Sequence, residues 1–345
     1  MVALLTGFGI ALGLGHLFPI AEAAIPVPER VVSVRTEDGW ELPMRAYPAE
    51  KGVEGRPPVL LVHGMSANHY NFDHEERVSL AVALQKKGWD VWVPELRGDP
   101  GAVPPRGMSA REATRYGFDD HARKDIPAIL EGLQRWTGHK RFAWVGHSMG
   151  GMLLYATLRE QPEAIAAGVA VAAPATLQHP YPYQQQAGKF AFLMGGGGRI
   201  SSAALFRLLR PIGPRNMFLR VIANPDNMEW PFGWELAEEA LVPLSKTLIR
   251  DAVRWLKAGE LVDEAGKSYL SDATVPMLVM GGTADHLVPW MDVASACKHY
   301  QPCRFEKLGK PKYRVDYGHI DALISPSATY EIFPMIEAFL AENTR

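Results

Sequence analysis

Neither sign of charge is in excess in this sequence. Lys and Arg together number 36 and Asp and Glu 38, a formal charge of -2, and no run of basic residues suggests a phosphate-binding face. This balance argues against a nucleic-acid partner and favours a small, neutral or apolar substrate. The composition, 47% hydrophobic and 21% charged, is ordinary for a soluble globular enzyme, and 345 residues can form one large domain or two modest ones.

Cysteine is scarce, since only Cys297 and Cys303 occur. Their spacing fits neither a zinc site nor a CxxC redox motif, and His299 does not complete one. The usual burial of free cysteine favours two separate thiols. A disulfide that closes the short loop between them is the alternative, in an oxidising compartment.

The N-terminal segment contains no charged residue over its first 21 positions. Ala-Glu-Ala at 21–23 then resembles a signal-peptide cleavage site, but the positive charge that normally opens a secretory signal is missing. The segment could also be a marginal membrane span, although four glycines and His16 weaken that interpretation. We expect residues 1–28 to lie outside the folded core. If residues 1–23 act as a signal or anchor, the protein is exported or membrane-associated, and otherwise it is cytoplasmic.

Short strands and helices alternate along most of the chain. Two β-type runs, 31–36 and 40–47, flank an Asp-Gly pair and predict an antiparallel hairpin. Almost wholly apolar runs, typical of buried parallel strands, then alternate with amphipathic stretches, which indicates βα units and a mostly parallel sheet. Ser325 is the predicted N-cap of the last helix. The predicted strands are 59–64, 89–98, 142–148, 167–175, 275–282 and 303–308, and the predicted helices are 74–87, 118–136, 149–161, 293–300 and 326 onward.

The alternation stops between residues 174 and 274, where helical segments occur but no buried strand. This interruption follows one strand and precedes another, so we expect it to lie over the C-terminal edge of the sheet, where ligands bind in open α/β sheets. We predict a core of residues 29–173 and 275–345 with a helical cap or lid of residues 174–274.

Apolar residues cluster in the predicted cap, beside four glycines at 195–198. An apolar lid on a flexible hinge would suit an acyl chain, whereas the alternative is that these residues pack the cap onto the core. They are Phe190, Phe192, Leu193, Met194, Met217, Phe218, Leu219, Trp230, Pro231 and Phe232.

A serine in a short glycine-rich motif is the candidate nucleophile. Residues 146–150 read Gly-His-Ser-Met-Gly and fit the pattern G-x-S-x-G, with an apolar strand before and a helical run after. On such a strand-to-helix turn the hydroxyl projects above the sheet, and the flanking glycines prevent collisions with neighbouring backbone. The pattern occurs often by chance, but its position between βα units favours Ser148 as a nucleophile over a serine that only caps a helix.

A base must take the proton of this serine, because a hydroxyl is a poor nucleophile at neutral pH. In chains with this motif the partners follow in the order Ser, acid, His. Of eleven histidines, only His286, His299 and His319 lie in the C-terminal part of the predicted core. His319 is the best candidate, because it lies in a loop before the final helix, from which its ring can reach Ser148.

Asp285 is the candidate acid. It lies on a loop just past the strand at 275–282, where its carboxylate can bond the second ring nitrogen of His319 and stabilise the imidazolium. A solvated turn aspartate is the alternative, and Asp272 and Asp321 are rivals. Asp321 is too close to His319 in sequence for the usual geometry.

The oxyanion formed in acyl transfer needs hydrogen-bond donors. The backbone N–H of Met149, directly after the nucleophile, is the first candidate, and the N–H of Met65, in the loop after the strand at 59–64, is the second. We expect His63 to hold that loop by hydrogen bonding rather than to act as an acid or base.

Five stretches of the chain together resemble the α/β-hydrolase superfamily, and within it the lipase-like branch that includes acid lipases. They are HGMSANHYNFD (63–73), SLAVALQKKGWDVWVPELRG (79–98), YGFDDHARKDIPAIL (116–130), TGHKRFAWVGHSMGG (137–151) and GGTADHLVP (281–289). The resemblance implies the α/β-hydrolase fold and ester hydrolysis without a metal or organic cofactor. At 99–101 the chain has Asp-Pro-Gly where relatives often have His-Gly, so no substrate preference carries over from that loop.

The type of nucleophile narrows the implied chemistry. Haloalkane dehalogenases and soluble epoxide hydrolases of this superfamily carry Asp at this position, and polyester synthases carry Cys. Ser148 instead indicates esterase, lipase, thioesterase or amidase chemistry, and of these we expect cleavage of a carboxylic ester, lipid esters included, through an acyl-enzyme on Ser148. The expected partner is a small-molecule ester with an apolar acyl group, and membrane association would involve the N-terminal segment. An acyltransferase with the same triad and a non-catalytic binding protein on this fold are the alternatives.

Overall fold

The computed structural model describes residues 26–189, 198–230 and 232–344. The N-terminal segment therefore lies outside the described residues. In the predicted cap the same holds for the hinge glycines 195–197 and for Phe190, Phe192, Leu193, Met194, Pro231 and the side chain of Phe218. Within the described part of the chain, no helix combines the length and the apolarity needed to cross a bilayer.

Ten strands in the described residues form one large and one small sheet. The strands are β1 (Arg30–Arg35), β2 (Glu41–Tyr47), β3 (Val59–Val62), β4 (Val91–Pro94), β5 (Phe142–His147), β6 (Ile165–Val171), β7 (Arg199–Ile200), β8 (Leu244–Ser245), β9 (Met277–Gly282) and β10 (Cys303–Leu308). The large sheet has the order β1-β2-β4-β3-β5-β6-β9-β10. Strands β1 and β2 pair antiparallel, as do β2 and β4, and every other pair in this sheet is parallel. The prediction of an α/β fold with a mostly parallel sheet is confirmed.

Fourteen described helices accompany the sheets. They are α1 (Tyr70–Asp73), α2 (Leu80–Lys86), α3 (Phe118–Asp120), α4 (Ile126–Thr137), α5 (Met149–Glu160), α6 (Pro182–Lys189), α7 (Ser202–Leu209), α8 (Met217–Ile222), α9 (Phe232–Ala240), α10 (Lys246–Ala258), α11 (Trp290–Ala294), α12 (Asp321–Ile324), α13 (Pro326–Glu331) and α14 (Phe333–Asn343).

Helix boundaries differ from the predictions where local capping decides them. Helix α2 begins at Leu80 rather than near residue 74, because Ser79 is extended and its hydroxyl accepts from the backbone N–H of Val82. A π-helical turn over His121–Asp125 joins α3 to α4. The predicted cap at Ser325 is present, but the last helix is divided between α13 and α14.

The central strands are buried on both faces. All residues of β3, β5 and β6 are buried. Because side chains alternate along a strand, Leu60 and Trp144 join the hydrophobic cluster on one face and Leu61 and Val145 join that on the other. Helices on both sides of the sheet complete these clusters, and the buried strands give the carboxyl edge a rigid base.

The chain between β6 and β9 contains the five helices α6 to α10 and the small antiparallel pair of β7 and β8. The helices agree with the prediction, whereas the two-residue strands have no counterpart in it, because an isolated pair of half-buried residues leaves no apolar run in the sequence. Trp234 and Ala237 of α9 pack with Phe206 and Leu219 in a separate small cluster. This segment therefore has an apolar centre of its own.

Cys297 and Cys303 form a disulfide, with their Cα atoms 5.2 Å apart. The favoured prediction of two separate thiols is wrong, and the alternative of a closed short loop is correct. The reason is local, because a 3₁₀ turn over Ser295–Lys298 ends just before β10 begins at Cys303 and returns the chain to within bonding range.

Candidate active site

Ser148 occupies the sharp turn between β5 and α5. Its backbone has φ +51° and ψ -117°, a region that costs free energy for a residue with a side chain. Its backbone N–H donates to the carbonyl of Val171 at 2.8 Å, and this bond holds the turn against β6. The conformation places the half-buried serine at the carboxyl edge of the sheet.

The glycines around this serine permit contacts that other residues would block. A Cβ atom on Gly150 would lie 1.9 Å from the carbonyl oxygen of Val62, and one on Gly146 would lie 2.3 Å from the carbonyl oxygen of Gly150. Both distances are far below van der Waals contact and both neighbours are backbone. The motif is thus required by the packing of α5 against β3 and β5.

The structure brings together the three side chains predicted to form the triad. Nε2 of His319 lies 3.0 Å from Oγ of Ser148, and Nδ1 of His319 lies 2.8 Å from Oδ2 of Asp285. His319 is 4% exposed and Asp285 1% exposed. The other carboxylate oxygen of Asp285 accepts from the backbone N–H groups of Leu287 and Val288, each at 2.8 Å. These bonds orient the carboxylate toward the ring, and the arrangement can move a proton from the serine to the imidazole.

The rival acids have other partners. Oδ1 and Oδ2 of Asp321 both accept from the backbone N–H of Gly318, at 3.1 and 3.0 Å. The backbone N–H of Asn224 donates to Oδ1 at 2.9 Å, and the side-chain amide of Asn227 donates to Oδ2 at 2.7 Å. Burial raises the pKa of the Asp321 carboxyl, against which these donors act. The side chain of Asp272 is 95% exposed. Asp321 thus ties the loop of His319 to the segment after α8.

The two predicted oxyanion donors lie on either side of Ser148. Met149 is the first residue of α5, and the N–H groups of a first helical turn have no acceptor inside the helix. Met65 follows Gly64, on which an added Cβ would lie 3.2 Å from Cβ of Ser148. Ser66 continues the loop at φ +59°. The loop therefore adjoins the nucleophile, as the prediction requires.

His63 contacts this loop on one side and an acid on the other. Its Nδ1 lies 3.0 Å from the carbonyl oxygen of Gly64, and its Nε2 lies 2.8 Å from Oδ2 of Asp99. The second contact is an ion pair by distance but is poorly aligned for a hydrogen bond. Burial lowers the pKa of His63, but Asp99, the Gly64 carbonyl and Glu95 together outweigh burial and the net pKa is raised. These contacts are those of a residue that holds the loop.

His147 is a buried neighbour whose contacts the sequence analysis missed. Its Nε2 lies 3.1 Å from the carbonyl oxygen of His319 and its Nδ1 lies 2.8 Å from Oδ1 of Asn71. Burial, reinforced by nearby His319, lowers the pKa of His147 to about 3. The ring is therefore neutral at physiological pH and supports the backbone of the candidate base. The position of His147 inside the G-x-S-x-G motif is the feature of the sequence that could have indicated this role.

The loop of Asp285 is held by the start of the segment between β6 and β9. The hydroxyls of Tyr181 and Tyr183 donate to the carbonyls of Asp285 and His286, at 2.7 and 2.6 Å. The side-chain amide of Gln184 donates to the next carbonyl, that of residue 287, at 2.8 Å. These three contacts join α6 to the acid loop. Nothing in their sequence pattern distinguishes them from surface residues.

A small recess lined by Gly64 and Met149, which adjoin the nucleophile, is half open to solvent. Its lining includes the polar side chains of His63, Asp99 and Tyr116 and the apolar ones of Val242 and Leu248. Among the described residues, no group of three or more His, Cys, Asp or Glu side chains is placed to hold a metal ion.

Comparison with known proteins agrees with this geometry. A family model described as the alpha/beta hydrolase fold matches residues 57–325. Lipase member N of Mus musculus is 28% identical, with 91% of this chain and 88% of that protein covered. Gastric triacylglycerol lipase of Homo sapiens is 32% identical over 162 residues, which cover 44% of this chain and 41% of that protein.

The extent of these similarities differs between relatives. The chain spans about two fifths of the length of gastric triacylglycerol lipase and of the human lipase members K and M. Among solved structures, an esterase from Exiguobacterium antarcticum has a TM-score of 0.61 at 16% identity, with 90% of this chain and all of that chain covered, a likeness of fold. The family model covers most of the chain, and the resemblance inferred from its motifs is confirmed. The chain belongs to the α/β-hydrolase fold family.

Proposed function

We propose that this protein is a serine hydrolase that cleaves carboxylic esters through an acyl-enzyme on Ser148. The observation that carries the proposal is the continuous line of Ser148 Oγ, the His319 ring and the Asp285 carboxylate, with contacts of 3.0 and 2.8 Å. The names of the relatives, which include several lipases, support the same reaction class.

In the first half of the reaction, Nε2 of His319 takes the proton of Ser148 while Oγ attacks the ester carbonyl carbon. Asp285 stabilises the imidazolium through Nδ1–H. The protonated ring then gives its proton to the leaving alcohol as the C–O bond breaks, which leaves the acyl group on Ser148. In the second half, His319 deprotonates water, the water attacks the acyl carbon, and the acid leaves as the serine recovers its proton.

The negative charge on the carbonyl oxygen requires fixed donors. We assign these to the backbone N–H groups of Met149 and Met65, which flank Ser148 on the helix side and the loop side. One such donor is worth about 100- to 1,000-fold in rate. Since both are main-chain groups, the assignment tolerates changes in the two methionine side chains.

We assign residues 29–173 and 275–345 to the catalytic core and residues 174–274 to a cap over its carboxyl edge. Contacts at both catalytic loops support this division, because α6 binds the carbonyls after β9 and the segment after α8 binds the loop of His319. Val242 and Leu248 of the proposed cap line the recess beside Gly64 and Met149, and their apolar side chains are compatible with an apolar acyl group there.

Labelling with a fluorophosphonate probe tests the nucleophile. We expect the wild type to be labelled and Ser148→Ala and His319→Ala to lose labelling, with a fall of about 10⁶ in kcat for Ser148→Ala on p-nitrophenyl esters. Ser109→Ala, an exposed serine, and His299→Ala are the matched controls and should retain full labelling. Hydrolysis by Ser148→Ala at the wild-type rate would show that the nucleophile is wrong, and a wild type that reacts with no serine-directed probe would favour a binding protein on this fold.

An acyltransferase would use the same acyl-enzyme with an alcohol or amine in place of water. The triad supports both reactions equally, so product analysis decides between them. We expect free acid to remain the main product when acceptor alcohols are added. A series of esters graded by acyl chain length then reports whether lipid esters are preferred.

A further inference from the structure

The peptide groups on both sides of Gly64 are held by hydrogen bonds. The Gly64 carbonyl oxygen lies 3.0 Å from Nδ1 of His63 and accepts from the backbone N–H of Ala67 at 3.3 Å. Because a trans peptide is planar, with its C=O and N–H opposed, these contacts also fix the direction of the Met65 N–H. On the other side, the Gly64 N–H donates to Oδ1 of Asn71 at 3.3 Å. The backbone that carries the proposed oxyanion donor is therefore held at one end by a side chain of α1.

Asn71 contacts the residue before the nucleophile with the same oxygen. Its Oδ1 lies 2.8 Å from Nδ1 of His147, and both side chains are buried. An amide oxygen has two lone pairs, so it can accept from Gly64 and from His147 together. The loop and the turn of Ser148 meet closely here, because a Cβ atom on Gly64 would lie 3.1 Å from Nδ1 of His147 and 3.2 Å from Cβ of Ser148. One amide oxygen thus joins the loop of Met65 to the turn of the nucleophile.

This arrangement requires the proton of the His147 ring on Nδ1. The ring is neutral because burial lowers its pKa to about 3, so it carries one N–H and meets two acceptors, the Asn71 oxygen and the His319 carbonyl. The N–H belongs to Nδ1, because Asn71 is the closer acceptor, at 2.8 against 3.1 Å, and because the Gly64 N–H turns the amide oxygen toward the ring. The contact of Nε2 with the His319 carbonyl is then packing rather than a hydrogen bond. Asn71 therefore decides which ring nitrogen carries the proton.

We propose that Asn71 is a positioning residue that sets the distance between the oxyanion donor of Met65 and the hydroxyl of Ser148. Without its oxygen, the N–H groups of Gly64 and of the His147 ring would be buried without this acceptor, and the loop could move away from the nucleophile. An oxyanion donor acts only within hydrogen-bond range of the developing charge, so such a movement lowers the rate rather than the affinity for substrate. The inference rests on the proposed function, which assigns the oxyanion role to Met65.

Two substitutions of similar volume separate the oxygen from the shape of the side chain. N71L keeps the volume and loses the acceptor, whereas N71D retains an acceptor for both donors. We expect N71L to lower kcat on a soluble p-nitrophenyl ester by about 30-fold, part of the roughly 100- to 1,000-fold that one oxyanion donor supplies, with KM changed by less than about threefold. N71D should recover at least about tenfold of that loss. A trifluoromethyl ketone, which forms a tetrahedral adduct with Ser148, should lose affinity for N71L by the same factor as kcat/KM.

The matched control is N68L. Asn68 is also buried in this segment, but its side-chain amide donates to the carbonyl of Glu239, at 2.8 Å, rather than joining Gly64 to His147. N68L should lower the thermal midpoint about as much as N71L and leave kcat within about threefold of the wild type. An equal fall of kcat in both variants would overturn the proposal, since general loosening of the segment would then explain it. Folded N71D that is as slow as N71L would overturn it as well.

The ring of His147 gives a readout that needs no substrate. In protein with ¹⁵N-labelled histidine, the His147 signals are identified by their absence from His147→Gln. They should show the proton on Nδ1 in the wild type and on Nε2 in N71L, where the His319 carbonyl is the acceptor that remains. A proton on the same nitrogen in both proteins would contradict the proposal even if kcat fell. A wild type that hydrolysed no ester would overturn the proposed function instead, and the position of the proton would still decide whether Asn71 binds His147.

Discussion

The proposed core and the proposed cap hold the candidate site by different means. In the core, Ser148 depends on backbone contacts so close that only glycine fits at Gly146 and Gly150. In the proposed cap, the contacts with the catalytic loops include backbone groups such as the N–H of Asn224, but also side chains such as Tyr181 and Asn227, which have conformational freedom of their own. Backbone packing leaves little room for adjustment, whereas a side-chain contact can be lost singly. We therefore expect substitutions in the core to abolish activity or folding, and those in the cap to alter them in steps.

The largest effect that the core predicts is on catalysis. Asp285→Asn should lower kcat by about 10⁴, because an amide cannot stabilise the imidazolium of His319 and favours the wrong tautomer. Steady-state kinetics on a soluble ester measures this, and Asp272→Asn, an exposed acid, is the control that should not change. A loss of less than tenfold would mean that another group orients His319.

A pair of glycine substitutions compares the two regions directly. Gly150→Ala places Cβ 1.9 Å from the carbonyl oxygen of Val62, so we expect it to cost about 3 kcal/mol in free energy of unfolding, or to prevent folding. Gly213→Ala, in the connection between α7 and α8 of the proposed cap, meets no atom within 4 Å and should cost only about 1 kcal/mol, from its φ of +86°. Urea unfolding of both variants gives the two values. Equal losses would contradict the proposed difference between core and cap.

Asp321 joins the two regions, so its substitution has an intermediate effect. In Asp321→Asn one carboxylate oxygen becomes an amide N–H₂. In either orientation this group would face the backbone N–H of Gly318, together with the backbone N–H of Asn224 or the side-chain amide of Asn227. We expect a loss of about 2 kcal/mol in stability, the cost of a buried unsatisfied donor. Because Gly318 precedes His319, kcat on a soluble ester should fall while KM changes little.

The matched control for this variant is Asp226→Asn. Asp226 also lies in the proposed cap, and the substitution removes its exposed ion pair with Arg215. Exposed pairs contribute little, so its stability should change by less than about 1 kcal/mol. If Asp321→Asn lowered stability but left kcat intact, the carboxylate would hold the cap without positioning His319.

The difference between the proposed core and cap also explains which parts of the site could be predicted from the sequence. Ser148 is evident from five adjacent residues, because the strained turn has a local pattern, and Asp285 and His319 follow from their order along the chain and their places after strands. The contacts of Asp321 and Tyr181 depend on how the cap docks, and no periodicity in the sequence encodes docking.

Local interactions explain the remaining predictions in the core that were wrong. The apolar spacing predicts a helix from residue 74, but the extended backbone and capping hydroxyl of Ser79 delay α2 to Leu80. The pairing of Cys297 with Cys303 depends on the direction of the chain between a 3₁₀ turn and β10, which composition does not report. The helix was predicted but its first residue was not, and the disulfide was predicted only as the alternative.

The pH dependence of the free energy of unfolding reports whether water reaches the buried side chains of the core beneath the proposed cap. The pKa of His147 is about 3 in the folded protein, against about 6.5 for an unfolded histidine, so between these values only the unfolded chain binds the proton. Protonation then favours unfolding, and His147 should destabilise the protein by up to about 1.4 kcal/mol per pH unit as pH falls below 6.5. In His147→Gln this part of the acid slope should disappear from urea midpoints measured at a series of pH values.

His63 is a control of the same residue type, and its effect on the pH dependence of stability has the opposite sign. Its pKa is raised by Asp99, so its contribution to stability is complete below about pH 6.5 and is lost as pH rises through its folded pKa. His63→Gln should therefore flatten the alkaline side of the stability profile and leave the acid slope in place. If His147→Gln kept the full acid slope, we would conclude that water reaches the imidazole of His147 in the folded protein. The core beside the nucleophile would then not be sealed, which would contradict the proposed difference between a closely packed core and an adjustable cap.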